Sequence, residues 1–224
     1  MSEPYRRRRR RRRAVPAVPL LLGAVLLCLT AAVVWVLFRD RGPQAEDVPV
    51  PEYVEKDYLT MNPYSRPGEA LERINGVVIH YVGNPSTTAH ANRNYFESLS
   101  SGLENTYASS HFIVGLDGEV IQCIPLTEIA YASNTRNGDT VSIEVCHPDE
   151  TGEFSPVTYA RTVELTAWLC RAFKLDPETD VIRHYDVTGK ECPRYYVEHP
   201  EAWEAFRADV ASEMERQKAA EKKS

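Results

Sequence analysis

The sequence predicts an α/β fold: a central mixed β-sheet flanked by helices, preceded by a single N-terminal transmembrane helix. Three observations carry that prediction. Gly76 to Val82 is a continuous β-branched apolar run, the signature of a strand buried on both faces. Gly115-Leu116-Asp117-Gly118 separates two further apolar runs and contains the Asp-Gly turn of a β-hairpin. Thr158 to Phe173 repeats apolar residues at helical spacing and is long enough for an amphipathic helix packed on a sheet.

The chain reads in order from there. Residues 1–13 form a basic tail in which Arg6 to Arg13 run unbroken. Ala14 to Phe38 contain no charged side chain over 25 residues, and a bilayer span needs about 20 residues at ~1.5 Å rise each. Trp35 and Phe38, followed by Arg39 and Arg41, mark an interfacial boundary. The arginine run outweighs the charge on the far side, so the expected topology has a cytoplasmic N-terminus and an extracytoplasmic body in the cell membrane. A cleaved signal peptide would need a shorter apolar region and small residues at its end. A lipid anchor at Cys28 would need small residues where Val25, Leu26 and Leu27 stand.

Residues 39–68 read as a linker, because Pro43, Pro49, Pro51, Pro63 and Pro67 recur among polar residues with no sustained apolar period. The folded domain is expected over 69–215. Within it Gly76–Val82 is a strand and Thr88–Leu99 a helix opened by Ser86-Thr87-Thr88. Ser110–Val114 and Glu119–Ile124 form the hairpin, Thr140–Cys146 another strand, and Thr158–Phe173 the longest helix. Val181-Ile182 is a short strand running into a polar loop, Glu201 to about Met214 a final helix, and 216–224 a charged, frayed tail.

The net charge of −6 conceals a basic head on an acidic body. A nucleic-acid binder carries its positive charge on the folded domain, so no nucleic-acid partner is expected. Of the five cysteines, Cys28 lies in the predicted span, and the spacing of the other four matches no small stapled scaffold. The oligomeric state is not encoded in any pattern here.

Chemistry concentrates in His184-Tyr185-Asp186-Val187-Thr188-Gly189-Lys190-Glu191-Cys192-Pro193. A histidine at a strand end and a cysteine eight residues on, across a glycine-containing loop, can converge on one point. Imidazole nitrogen and thiolate sulfur together suit zinc. His80 is the candidate third ligand, since it ends a buried strand where an unpartnered imidazole is costly. Three protein ligands leave the fourth tetrahedral position open, as in catalytic sites. Taken singly, such a histidine is a satisfied polar residue and such a cysteine a small hydrophobe. Glu144 lies between Ile143 and Val145, so period two points it away from the core pair.

The segment His184 to Pro193 resembles the His-x-Asp-x-x-Gly-Lys-x-Cys-Pro signature of type 2 N-acetylmuramoyl-L-alanine amidases, a family that also takes in phage lysozyme-type amidases and peptidoglycan recognition proteins. The likeness extends through Val77-Val78-Ile79-His80, Ala108 to Val114, Asp117-Gly118 and Val141 to Cys146. It implies an amidase/peptidoglycan-recognition-like sheet, zinc held by His80, His184 and Cys192, and a peptidoglycan (muramyl peptide) substrate cut between N-acetylmuramic acid and L-alanine. Lys190 falls where the family places a positive side chain facing the substrate carbonyl. Glu144 falls where many bacterial members place a glutamate beside the attacking water. His111 and Tyr81 are expected at the substrate groove, with Asn134 and Arg136 as weaker candidates. Ser110 stands where some phage members carry a tyrosine, which removes a tyrosine-assisted route and leaves Tyr107 as a distant substitute. His90, His147 and His199 read as ordinary polar residues.

Two other classes compete. A binding module that holds muropeptides without cutting them would lack the metal cysteine, whereas Cys192 is present. A cysteine hydrolase would use Cys192 with His184 as base and would survive a chelator.

Overall fold

The computed structural model describes residues 45–222; the predicted basic tail and membrane span fall outside the described residues. No helix among the described residues is long and apolar enough to cross a membrane.

Six strands form one mixed sheet: β1 (Val54–Lys56), β2 (Val77–Tyr81), β3 (Phe112–Val114), β4 (Val120–Gln122), β5 (Val141–Val145) and β6 (Val181–Arg183). Their spatial order is β1-β4-β3-β5-β2-β6. Only β3 and β4 pair antiparallel, across the Gly115–Gly118 turn; every other neighbour is parallel. Gly115 donates to the Glu119 carbonyl at 2.8 Å to close that hairpin, and Gly118 holds φ +80°, a conformation glycine adopts without steric cost. The mixed sheet flanked by helices predicted from the sequence is the fold observed.

The two sheet faces bury different residues. Val77, Ile79, Phe112, Val114, Ile143 and Val145 pack with α2 (Pro156–Phe173) and α5 (Pro200–Glu221) into the larger core. Ile113, Ile121 and Cys123 on the opposite face pack with Ala89, Phe96 and Leu99 in and after α1 (Ala89–Ser98). Because α1 lies over β3 and β4, the same face of β5, β2 and β6 is left for other use. His80 and Glu144 sit there, out of phase with Ile79 and Ile143.

Helix ends follow sequence chemistry. Thr88 caps α1 by accepting from the Ala91 N–H at 3.2 Å, and Ser155 caps α2 by accepting from Thr158, with Pro156 in the first turn.

Two stretches differ from expectation. The proline-rich 45–68 segment, read as a linker, carries edge strand β1 and the core residue Leu59 (1% exposed). Leu59 N–H donates to the Cys123 carbonyl at 2.9 Å, and Arg66 pairs with Glu128 at 2.7 Å while donating to the Leu59 carbonyl. A three-residue strand is too short for periodicity to announce it. The last helix continues to Glu221, past Met214 and through most of the tail read as frayed. Polar bridges explain the extra turns: Gln217 donates to the Glu164 carbonyl at 3.1 Å, and Arg171 of α2 reaches Gln217 and Glu221.

Candidate metal centre and hydrolytic site

The His184–Pro193 segment folds into one short helix followed by a tight return. Arg183 ends β6 and caps α3 (His184–Thr188): its N–H donates to Asp186 at 2.8 Å, and its guanidinium pairs with the same carboxylate at 2.7 Å. The motif aspartate is therefore a cap residue. Gly189 terminates α3 at φ +78°, where its N–H donates to the Tyr185 carbonyl at 2.8 Å. The chain then doubles back, and Tyr185 N–H donates to the Cys192 carbonyl at 2.9 Å. This return brings a cysteine eight residues along the chain beside the histidine. Helix α4 (Arg194–Glu198) follows at once.

His80, His184 and Cys192 meet on the open face of the sheet, all three buried, with one ligand atom from each within 4.8 Å of the others. The two imidazole rings lie 4.6 Å apart between centroids, and Cys192 Sγ lies 3.8 Å from His80 Nδ1. A tetrahedral zinc with bonds of about 2.0–2.3 Å would draw such atoms slightly closer together. The Tyr81 backbone N–H donates to the Cys192 thiol, a contact that would steady a thiolate ligand.

The electrostatics suit a cation. Burial holds His80 well below the ordinary imidazole range, with His184 and Lys190 adding to the effect, and burial with Lys190 lowers His184 as well. Both rings are therefore neutral at physiological pH, with a lone pair to give. Burial pushes the Cys192 thiol up to about 12. Hidden and protonated, it is a poor nucleophile unless a metal displaces its proton, which counts against the cysteine-hydrolase reading.

Glu144 faces His80 in register across β5 and β2, its Oε1 3.9 Å from His80 Nδ1. The side chain keeps 17% exposure, yet Oε2 is shut from solvent without a hydrogen-bond partner. Burial lifts its carboxyl to about 8 against the pull of Lys190. An orphaned carboxylate oxygen beside three metal-type donors is an unbalanced charge that a cation, or a proton in transit, would satisfy. The donor set and this orphan together fit a zinc ion. Lys190 is exposed on the return loop, and its charge is felt by His80, His184, Glu144 and Cys192 alike.

The remaining predicted residues divide. Tyr81 sits at the rim, its ring 5.0 Å from His147 and below Arg194. His111 requires a correction: it is 1% exposed and does not line the groove. Its Nδ1 accepts from the Ser142 N–H at 3.0 Å and its Nε2 donates to the Glu128 carbonyl at 3.0 Å, so both nitrogens are spent inside the sheet. Ser110 is buried and donates to the Phe112 carbonyl, while Tyr107 is 56% exposed and rests against Tyr64 and Tyr131. Arg136 is engaged by Asp139 at 2.7 Å. His147 is more than an ordinary polar residue, being buried with Nδ1 against the Asp149 carbonyl and Nε2 unpartnered.

Sequence reasoning missed Ser133 and gave Asn134 no definite part. Ser133 Oγ lies 3.2 Å from His80 Nε2, and Asn134 Oδ1 lies 3.3 Å from His184 Nε2. The run Ser133-Asn134-Thr135-Arg136-Asn137-Gly138 announces a turn, but nothing local says which rings that turn will meet.

A mixed-sheet α/β domain with a buried His-His-Cys pocket and an unpaired carboxylate beside it has the design of a metal-dependent hydrolase domain. Residues 70–195 match the family model described as N-acetylmuramoyl-L-alanine amidase. The chain belongs to that family. It is 32% identical over 177 residues to N-acetylmuramoyl-L-alanine amidase BlyA of Bacillus subtilis, covering 70% of this chain and 46% of that protein. It is 30% identical over 171 residues to the amidase CwlL of Bacillus licheniformis, covering 71% of this chain and 47% of the relative. The chain thus spans about half the length of these curated relatives. Among solved structures, the catalytic domain of XlyA superposes with a TM-score of 0.59 at 25% identity, covering 70% of this chain and 98% of that domain.

Proposed function

We propose that this chain is a zinc-dependent N-acetylmuramoyl-L-alanine amidase that hydrolyses the amide between N-acetylmuramic acid and L-alanine in peptidoglycan. The observation that carries this reading is the convergence of His80, His184 and Cys192 with the orphaned carboxylate of Glu144, in a chain whose relatives bear that name.

His80, His184 and Cys192 would hold the ion, which when bound supplies Lewis acidity for the hydrolysis. Glu144, aimed at the same point, takes the proton of the attacking water and returns it to the departing L-alanine nitrogen. A carboxyl whose affinity for protons is raised by burial is suited to that exchange near neutral pH. Lys190 on the exposed rim of the pocket places positive charge where the oxyanion develops. Tyr81 contributes an aromatic wall to the groove. Residues 14–38 anchor the enzyme in the cell membrane with the catalytic domain outside, where its substrate lies.

The test is metal dependence on purified cell wall. Full-length protein should lose wall hydrolysis when treated with a chelator and regain it with stoichiometric zinc. Hydrolysis that persists after the metal is removed would refute the proposal.

A further inference from the structure

Both imidazoles of the pocket are held by consecutive residues of one turn. Ser133 meets His80 Nε2 at 3.2 Å and Asn134 meets His184 Nε2 at 3.3 Å. We propose that the Ser133-Asn134 pair is a positioning clamp that fixes each ring as its Nε2–H tautomer, leaving both Nδ1 atoms to bind the metal. The inference rests on the metal-site reading above and adds a role for two residues outside the ligand set.

Tautomer logic supports it. Asn134 Oδ1 is an acceptor only, so the His184 nitrogen facing it must carry the proton, and Nδ1 keeps the lone pair. For His80 the Ser133 hydroxyl can donate or accept, and the pocket side of the ring decides: the Cys192 thiol, 3.8 Å from Nδ1, can donate to its lone pair. Nε2 then donates to the Ser133 hydroxyl. A histidine whose other nitrogen is bound in this way is held in one orientation and is a better ligand.

The turn is itself well fixed, as a clamp requires. Asn137 Oδ1 accepts from both the Ala132 and Ser133 N–H groups, at 3.1 and 2.6 Å. Arg136 N–H donates to the Ser133 carbonyl at 3.0 Å, and its guanidinium pairs with Asp139 at 2.7 Å. Asn75, just before β2, donates its N–H to the Asp139 carbonyl at 2.8 Å, which ties the turn to the strand that carries His80. Asn134 holds φ +51°, which asparagine and glycine tolerate and most residues do not. Asn134→Gly therefore removes the amide while keeping the backbone.

The test uses full-length protein in detergent. Histidine nitrogen NMR of the metal-free form should show His80 and His184 as Nε2–H tautomers. Competition with a chromophoric chelator should show zinc affinity falling about 10–100-fold in Ser133→Ala and in Asn134→Gly. Ser133→Thr and Asn134→Asp should restore it, and the metal-free unfolding midpoints should stay at the wild-type value. Wild-type zinc affinity in both deletion variants overturns the clamp, as does an Nδ1–H tautomer at either ring or a wild-type protein that binds no zinc. A protein that binds zinc with the predicted losses yet leaves peptidoglycan intact supports the clamp and sinks the amidase reading instead.

Discussion

His80 on β2 and Glu144 on β5 are register partners across a parallel strand pair, and their side chains meet with Nδ1 and Oε1 3.9 Å apart. Parallel pairing in this register places a metal-type donor and an acid-base group on one face of the sheet with no loop between them. A group positioned by two packed strands keeps its geometry, because a shift of one residue would exchange the two sheet faces and carry a polar side chain into the apolar core beside Ile79 and Ile143.

Glu144→Gln should keep zinc and lose catalysis. An amide occupies the same space but accepts no proton, so kcat on purified wall should fall by about 10²–10⁴-fold. Zinc content measured on the same preparation should remain stoichiometric. A variant with unchanged kcat would remove Glu144 from the mechanism.

Cys192→Ser should lose both. A serine hydroxyl is a poor substitute for thiolate, so metal content and hydrolysis should disappear together. Retained zinc with lost activity would instead point to direct chemistry by the thiol.

Lys190→Met tests the oxyanion role. Lys190 is exposed, so the unfolding midpoint should hardly move, while kcat drops by about 10²-fold with a smaller change in KM. An effect confined to KM would make Lys190 a substrate-binding residue.

The metal-free protein should become less stable as the medium turns alkaline. Glu144 ionises near 4.5 in an unfolded chain and near 8 in the fold. Between those values the unfolded state holds fewer protons at Glu144. The buried His80, His111 and His184 act oppositely only below the free imidazole value of 6.5, so stability falls as pH rises from there to about 8. Scanning calorimetry of the metal-free form should show this fall, and Glu144→Gln should flatten it. Parallel pH profiles for the two proteins would contradict the assignment.

Shortening the chain to residue 69 should be costly. The cut removes β1, the buried Leu59 and the Arg66–Glu128 pair. Leu59→Ala alone should cost about 2–5 kcal/mol, seen as a lower denaturation midpoint with zinc affinity little changed. A truncated domain as stable as the full chain would return 45–68 to the status of a linker.

What the sequence discloses and what it hides have physical reasons. Strong patterns survived translation into structure: the β-branched run of β2, the Asp-Gly hairpin, and the Ser155-Pro156 start of α2. The His-Cys spacing also announced a meeting point, and the return through Gly189 explains it. Segment 45–68 was opaque because its structure depends on a partner strand 66 residues away, Val54 pairing with Val120. His111 was misplaced because its ring is satisfied by Ser142 and by the Glu128 carbonyl, contacts set by tertiary register. The Ser133-Asn134 turn was visible as a turn, but its histidine partners lie on other elements.

The central claim concerns which bond is cut, and product identity decides it most directly. Purified peptidoglycan digested by the full-length protein with zinc should yield intact glycan strands and free stem peptides carrying new L-alanine amino termini, identified by mass. Fragments with new sugar reducing ends, or peptides cut within the stem, would contradict it.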